Sequence, residues 1–466
     1  MKEKQQNDLG RDPVRSLMFR LALPAILAQL INALYNIVDR IYIGNMPHNG
    51  DMALTGVGVT FPILMVISAF SAFIGMGGAP RVAIKMGEGR IDEAEHILGN
   101  SFISLLGISA VLTTVFLIWG EPLLMMFGAS DATIGYALEY MNIYVMGTLF
   151  VQLALGLNSF ISTQGFATQA MITVLVGAGM NITLDPLFIF VFDLGVRGAA
   201  IATVVSQAVS AAWVVFFLLS KRTLIKIRPR YFRLKSSVML PVMALGLSPF
   251  IMQSTESLVN IVLNSSLQKY GGDPAVGAMT IVGSVMQFCL MPLQGLTQSA
   301  QPIIGFNYGA CQIGRVKQAF RYLLISSLTY AALLWGLAML FPQMFVALFA
   351  KSDSLFQIGV WAMRIYMAGA VCMGAQFACQ QTFVALGQAK TSLLLALLRK
   401  IVLLIPLAYI LPHFFTDKVF AVFLAEPVAD VLAATTTVIV FSLTFGKILK
   451  KRITENAAHS EKTESV

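Results

Sequence analysis

Residues 17–44 read LMFRLALPAILAQLINALYNIVDRIYIG, and within that apolar run Gln29, Asn32, Tyr35, Asn36 and Asp39 recur at helical spacing. They fall at i, i+3, i+6, i+7 and i+10, so a helix long enough to cross a hydrocarbon core of about 30 Å carries one polar face. Lipid cannot be what that face meets. In the second half of the chain Asn260-Ile261-Val262-Leu263 lies over Asn36-Ile37-Val38-Asp39, and the stripe returns as Gln253, Glu256, Asn260 and Leu263 with Ser257 and Asn264 beside it.

The correspondence spreads outward from there. With one shared offset, Tyr144 falls on Tyr366, Gly165 on Gly387, Ser130-Asp131 on Ser352-Asp353, and the spacing from Pro80 to Gly87 recurs from Pro302 to Gly309. The chain is a tandem duplication. The match fails at acids: Asp39 lies over Leu263, and Leu184-Asp185-Pro186-Leu187 lies over Leu404-Ile405-Pro406-Leu407. At Asn32 the exchange runs the other way, since its counterpart is Glu256.

Composition excludes a soluble globule. Hydrophobic residues make up 57% and charged residues 12%, against about 25% charged in an ordinary soluble domain, and the mean hydropathy is +0.76. Twelve runs are long and apolar enough to cross a bilayer as helices: 17–45, 53–78, 97–120, 134–158, 168–192, 198–220, 240–265, 276–302, 318–342, 356–385, 392–412 and 419–446. Six spans per half bring each half back to its starting side, so the two repeats run parallel about an axis along the membrane normal. The expected fold class is an all-α membrane protein of twelve transmembrane helices in two parallel six-helix lobes. The divisions are 1–220 for the first lobe, 221–239 for a basic linker, 240–450 for the second lobe and 451–466 for a polar tail.

The net charge of +9 is a topology signal. Lys2, Lys4, Arg11, Arg15, Arg81, Lys85, Arg90, Arg315, Lys317, Lys390, Lys447, Lys450, Lys451, Arg452 and the cation-rich linker share one side, whereas Arg197, Lys269, Lys351 and Lys418 are on the other. By the positive-inside rule both termini are expected in the cytoplasm, with the chain multi-pass in the plasma membrane. The N-terminus lacks the pattern of a cleavable signal peptide. No arrangement of arginines with aromatics argues for nucleic acid. Cys289, Cys311, Cys372 and Cys379 lack metal-ligand spacing, and a disulfide framework is not expected. His48, His96, His413 and His459 are scattered, with no H-E-x-x-H, and no G-x-x-x-x-G-K-[ST] phosphate loop occurs, so an intramembrane metalloenzyme and an ATP-driven pump are disfavoured.

Two acids stand out, because an ionised side chain at the centre of a span costs about 2.5–3.5 kcal/mol on insertion scales. Asp39 has Arg40 next to it, but successive residues on a helix point apart. Asp185 stands four residues after Asn181 on the same helical face, and Pro186 removes a backbone donor directly after it. Both suit a cation-coupling site. In the eighth span Gln287, Gln294, Gln298 and Gln301 form a further stripe interleaved with Met286 and Met291. Polar faces on several helices imply a shared aqueous cavity, the alternative being amide bonds between neighbouring helices.

These residues resemble the multidrug and toxic compound extrusion (MATE) transporters over nearly the whole chain. The marks are Pro24, Asp39 and Gly44 in and after the first span, Pro80-Arg81 with Gly87, Gln164-Gly165, Asn181 to Pro186, and Gly195 to Thr203. The resemblance implies a V-shaped pair of lobes around a central cavity. It also implies export of small organic, mostly cationic drugs or dyes in exchange for protons or sodium ions, with no enzyme activity and no cofactor beyond the coupling ion. One branch of the family has a cation site whose pattern falls here on Tyr35, Asp39, Asn181, Asp185 and Thr203. A second branch pairs an acid of the seventh span with one of the tenth. Glu256 matches the first, but residues 356–385 contain no acid.

Substrate is expected on the polar faces that carry Asn32, Asn36, Gln253 and Asn260, and on the flexible surface of Met286, Gln287, Met291, Gln294, Gln376 and Gln380. A lipid-linked-precursor flippase of the same superfamily is the alternative, and it would need cations in the cavity. Arg364 is the one such candidate read within a span. A cavity enclosed within one chain favours a monomer.

Overall fold

A computed structural model describes residues 7–46, 50–347 and 353–464, with the side chains of Ser257, Ser354 and 458–464 left out. Lys2, Lys4, His48, Lys351 and Ser352 therefore lie outside what is described, as do the side chains of Ser257 and His459. Every regular element among the described residues is helical, as expected where lipid offers no partner for an unpaired backbone group.

In the first half the helices are α1 (Val14–Gly44), α2 (Gly50–Gly87), α3 (Ile91–Met126), α4 (Ile134–Met146), α5 (Thr148–Thr163), α6 (Ala167–Pro186) and α7 (Gly195–Leu219). In the second half they are α8 (Ser236–Gly309), α9 (Ile313–Leu340), α10 (Pro342–Val346), α11 (Asp353–Tyr366), α12 (Ala370–Ala385), α13 (Ala389–Leu397), α14 (Ile405–Ile410) and α15 (Lys418–Glu464). Among the described residues ten helical stretches are long and apolar enough to cross a membrane, and α4 with α5, bent by 57° at Gly147, makes one more. At about 1.5 Å per residue, the 74 residues of α8 are far too long for one crossing. Its helix breaks at Gly272 (φ 64°, ψ −161°), which divides it into the two spans read from the sequence. The twelve expected crossings are thus accounted for.

Residues cluster into two compact units. The first comprises Met1–Asp8 and Leu27–Gln253, and the second Leu9–Ile26 and Ser254–Val466, so the divisions fall inside α1 and α8.

The first unit packs by close backbone approach. A Cβ on Gly75 of α2 would stand 2.5 Å from the Gly156 carbonyl oxygen of α5, the small-residue contact that lets helices associate without a hydrophobic drive. The linker is strapped to the same unit. Buried Glu95 takes Arg228 at 2.6 Å and the backbone N–H of Lys226 at 3.2 Å, Asp92 takes Arg230 at 2.7 Å, and Asn100 donates to the Tyr231 carbonyl at 2.9 Å. In the second unit, Gly374 of α12 lies so close to α9 that a Cβ would meet the Ser327 carbonyl oxygen at 2.6 Å.

The duplication is visible in the backbone. Gly165 (φ 87°) and Gly387 (φ 73°) are left-handed turns at corresponding positions of the two repeats, and so are Gly89 (φ 74°) and Cys311 (φ 56°). Only the last pair puts a Cβ where L-residues are disfavoured. Wide π turns also occur in both halves, at Leu187–Val191 directly after Pro186 and at Leu398–Leu404 ahead of Pro406. All four cysteines are free.

Candidate functional site

In the first unit the helix spacing that marked Asp185 has a direct consequence. Asn181 and Asp185, one turn apart on α6, are both buried, and Asn181 donates through Nδ2 to Asp185 Oδ1 at 3.2 Å. The same Nδ2 lies 3.4 Å from Thr203 Oγ1 on α7, and Thr203 in turn donates to the Ala199 carbonyl at 3.0 Å. Asp39 of α1 brings its carboxyl within hydrogen-bonding reach of Asp185. Tyr35, one turn before Asp39, lies close enough to feel both charges. The structure thus joins five of the predicted coupling residues, Tyr35, Asp39, Asn181, Asp185 and Thr203.

Three oxygens of this cluster, Asp39 Oδ1, Asn181 Oδ1 and Asp185 Oδ2, are buried without a hydrogen-bond partner. An unmet buried carboxylate oxygen is costly. A hydrogen bond between two carboxyls needs a proton on one of them, so the arrangement accepts a proton or a bound cation. No ion pair to Asp39 occurs among the described residues. Arg40 instead places its guanidinium over the Phe61 ring at 5.4 Å.

Tyr140 and Tyr144 of α4 are site residues that the sequence reading does not single out. Both are buried, with their rings stacked 6.1 Å apart, and the Tyr140 hydroxyl reaches Thr203. The recurrence of Tyr144 as Tyr366 was the available signal. A cavity of roughly 450 Å³, counting its open side, adjoins the cluster and is lined by Asn32, Tyr35, Asn158, Asn181, Ser206 and Gln207 among others.

The sixth predicted coupling residue is placed elsewhere. Glu256 lies in the second unit, where Lys400 Nζ stands 3.0 Å from its carboxylate. Beside it, Arg399 holds Asp430 at 2.7 Å and Glu426 at 3.4 Å, with all three side chains buried. This corrects the reading of Arg364 as the one cation within a span. Arg399 and Lys400 lie inside the predicted span 392–412, and Glu426 and Asp430 inside 419–446. The π turn carries both cations on successive residues, and π segments often mark functional positions. Tyr366 of α11 lies within electrostatic reach of Glu256, Glu426 and Asp430.

The expected substrate residues are spread over both units. Asn32 lines the cavity just described, and Asn36 is exposed and donates back to the Asn32 carbonyl at 2.7 Å. Gln253 is half-buried at the end of the first unit, while Asn260 and Gln287 are exposed. Met286 packs into the apolar core of the second unit with Val259, Leu263 and Met363. Met291 and Gln294 are half-buried, and Gln376 and Gln380 are buried. Gln301 of the amide stripe donates to Gln381, an interhelical bond rather than an open cavity face. No group of three or more His, Cys, Asp or Glu side chains among the described residues is arranged to hold a metal ion.

The sequence profile of the MatE family matches residues 24–187 and 249–410, once in each half of the duplication. The multidrug export protein MepA of Staphylococcus haemolyticus is 24% identical over 93% of this chain and 95% of its own length. MepA of Staphylococcus aureus is 22% identical over the same shares. Among solved structures, a MATE protein in complex with MaL6 is similar with a TM-score of 0.88 at 25% identity, covering 95% of this chain and 98% of that one. A MATE protein in a bent conformation gives 0.90 at 24%, covering 96% and 100%. The duplicated helical architecture and the twofold profile match lead to one conclusion: the chain belongs to the MatE family, and is a multi-pass membrane transporter of the multidrug and toxic compound extrusion class rather than an enzyme.

Proposed function

We propose that this transporter exports structurally varied, mostly cationic organic compounds across the plasma membrane in exchange for protons, with both termini in the cytoplasm. The observation that carries the reading is the Asp39–Asp185 contact, backed by Asn181 and Thr203 and without an ion pair among the described residues. Two facing carboxyls hold one proton firmly and release it when the helices that bring them together separate. In the outward-open protein a proton enters this cluster, the charge is neutralised, and the packing of α1 against α6 and α7 changes as drug leaves. Moving one charge down 100 mV supplies about 2.3 kcal/mol, enough for modest concentration of a monovalent drug.

The names of the MepA relatives, multidrug export proteins, support the substrate class. The flippase reading is weakened by a specific arrangement. Arg399 and Lys400 are buried cations, but three carboxylates already neutralise them, so neither is left over for a pyrophosphate.

The deciding experiment is dye efflux from vesicles under an imposed pH gradient or an imposed sodium gradient. The pH gradient alone is expected to drive export. Export driven by sodium alone would overturn the proton assignment, and a flux that neither saturates nor reverses with the gradient would point to a channel.

A further inference from the structure

The polar cluster of the second unit has a charge surplus that its own side chains do not settle. Lys400 and Glu256 pair at 3.0 Å, where the Glu256 side chain is 56% exposed. That leaves one guanidinium, Arg399, between two carboxylates that are almost wholly buried, Glu426 at 3% exposure and Asp430 at 1%. The two acids are one turn apart on the same face of α15, where like charges repel. The contacts are unequal. Asp430 Oδ1 receives Arg399 Nε at 2.8 Å and Nη2 at 2.7 Å, whereas Glu426 Oε1 has only Nη2 at 3.4 Å. On each acid the other oxygen, Glu426 Oε2 and Asp430 Oδ2, is buried with no hydrogen-bond partner among the described residues.

We propose that Glu426 is a second proton-binding site, which takes up a single proton to cancel the excess negative charge of the Arg399–Glu426–Asp430 triad. It is separate from Asp39 and Asp185 and does not rest on their role. A proton fits better than a metal ion, because the guanidinium already occupies the space between the carboxylates and would repel a second cation at close range. A proton needs only one of the orphaned oxygens. The groups that face the triad are Arg399 and Lys400 from the π turn, Glu256 from α8 and Tyr366 from α11, with Cys372 of α12 near Asp430. Of the two buried carboxylates, Glu426 has the longer contact with Arg399, and the Lys400 charge acts on it without a hydrogen bond. Glu256 lies at the exposed edge of the cluster and, through buried Lys400, gives the proton a polar way in.

The test uses purified full-length protein in lipid nanodiscs, with Asp39→Asn and Asp185→Asn combined so that the first unit is silent. Infrared difference spectra between alkaline and mildly acidic buffer are expected to retain the C=O band of a buried carboxylic acid in that background, with one proton more taken up per chain than in the protein that also carries Glu426→Gln. Adding Glu426→Gln, which has the shape of the protonated acid, should abolish both. Because the proton answers a surplus of charge, Asp430→Asn should abolish them too, although Glu426 is still present. Absence of the band from the background protein would overturn the proposal, as would its survival in either triple variant. Saturable binding of radioactive sodium to the background protein, lost with Glu426→Gln, would overturn it in favour of a sodium site.

Discussion

Each unit carries a cluster of acids attended by tyrosines, among them the corresponding Tyr144, stacked on Tyr140, in the first and Tyr366 in the second, but the two clusters are built on opposite terms. In the first, Asp39 and Asp185 meet with no ion pair among the described residues: amide and hydroxyl groups attend them, and Arg40 acts on Asp39 only at longer range. In the second, Arg399 and Lys400 are permanent residents among Glu256, Glu426 and Asp430. A site without its own counter-charge must import one, so its occupancy follows the gradient. A site with two fixed cations for three carboxylates is held together from within, and lacks only the one charge that the proton proposed for Glu426 supplies. Duplication thus produced one cluster suited to exchange and one suited mainly to cohesion.

The comparison breaks most readily at the first cluster. Asp39→Asn and Asp185→Asn are each expected to reach the membrane and yet lose dye efflux by tenfold or more, and full efflux from either would remove the basis for calling that cluster the exchanging one. In the second cluster, Arg399→Ala leaves buried carboxylates without their guanidinium. Breaking such a pair costs about 3–5 kcal/mol, read as a fall in the thermal midpoint of the purified protein. If Arg399→Ala melted with the parent, the cluster would not be cohesive.

Smaller effects sharpen the contrast. Cys311 holds a left-handed turn that glycine holds at its counterpart, Gly89. Cys311→Gly should therefore stabilise by about 1 kcal/mol, measured by the same melting assay, while Gly89→Ala should move the other way. At the weak end, the exposed Arg197–Glu139 pair, 2.9 Å apart, should be worth under about 1 kcal/mol. A Glu139→Gln variant that melted several degrees lower would show that surface pairs in this chain count for more than the buried triad comparison assumes.

Most of the architecture was legible, because lipid leaves the backbone few choices and hydropathy reports them. The first cluster was legible for a local reason. Asn181 and Asp185 share a face by spacing alone, and Asp39 was conspicuous as a charge in an apolar run. The second cluster was hidden because its pairing is long-range. Lys400 meets Glu256 of α8 from beyond α13, and Arg399 meets Asp430 of α15, and no periodicity links them. Adjacent cations such as Arg399-Lys400 resemble a membrane-edge anchor in one dimension. The glutamine stripe misleads in a related way, since an amide facing an amide on a neighbouring helix, as Gln301 faces Gln381, gives the same spacing as one facing water.

The division of the units inside α1 and α8 bears on how the chain could be cut. The first unit ends at Gln253, beyond the linker, and the second includes Leu9–Ile26 from near the start of the chain. Two half-length polypeptides separated at the linker would each lack a segment that their body requires and carry one that the other requires. Expressed singly, neither half should yield a stable product. Expressed together, they should rescue each other only by exchanging those end segments, so the gene boundary left by the duplication is not a boundary at which the folded protein comes apart.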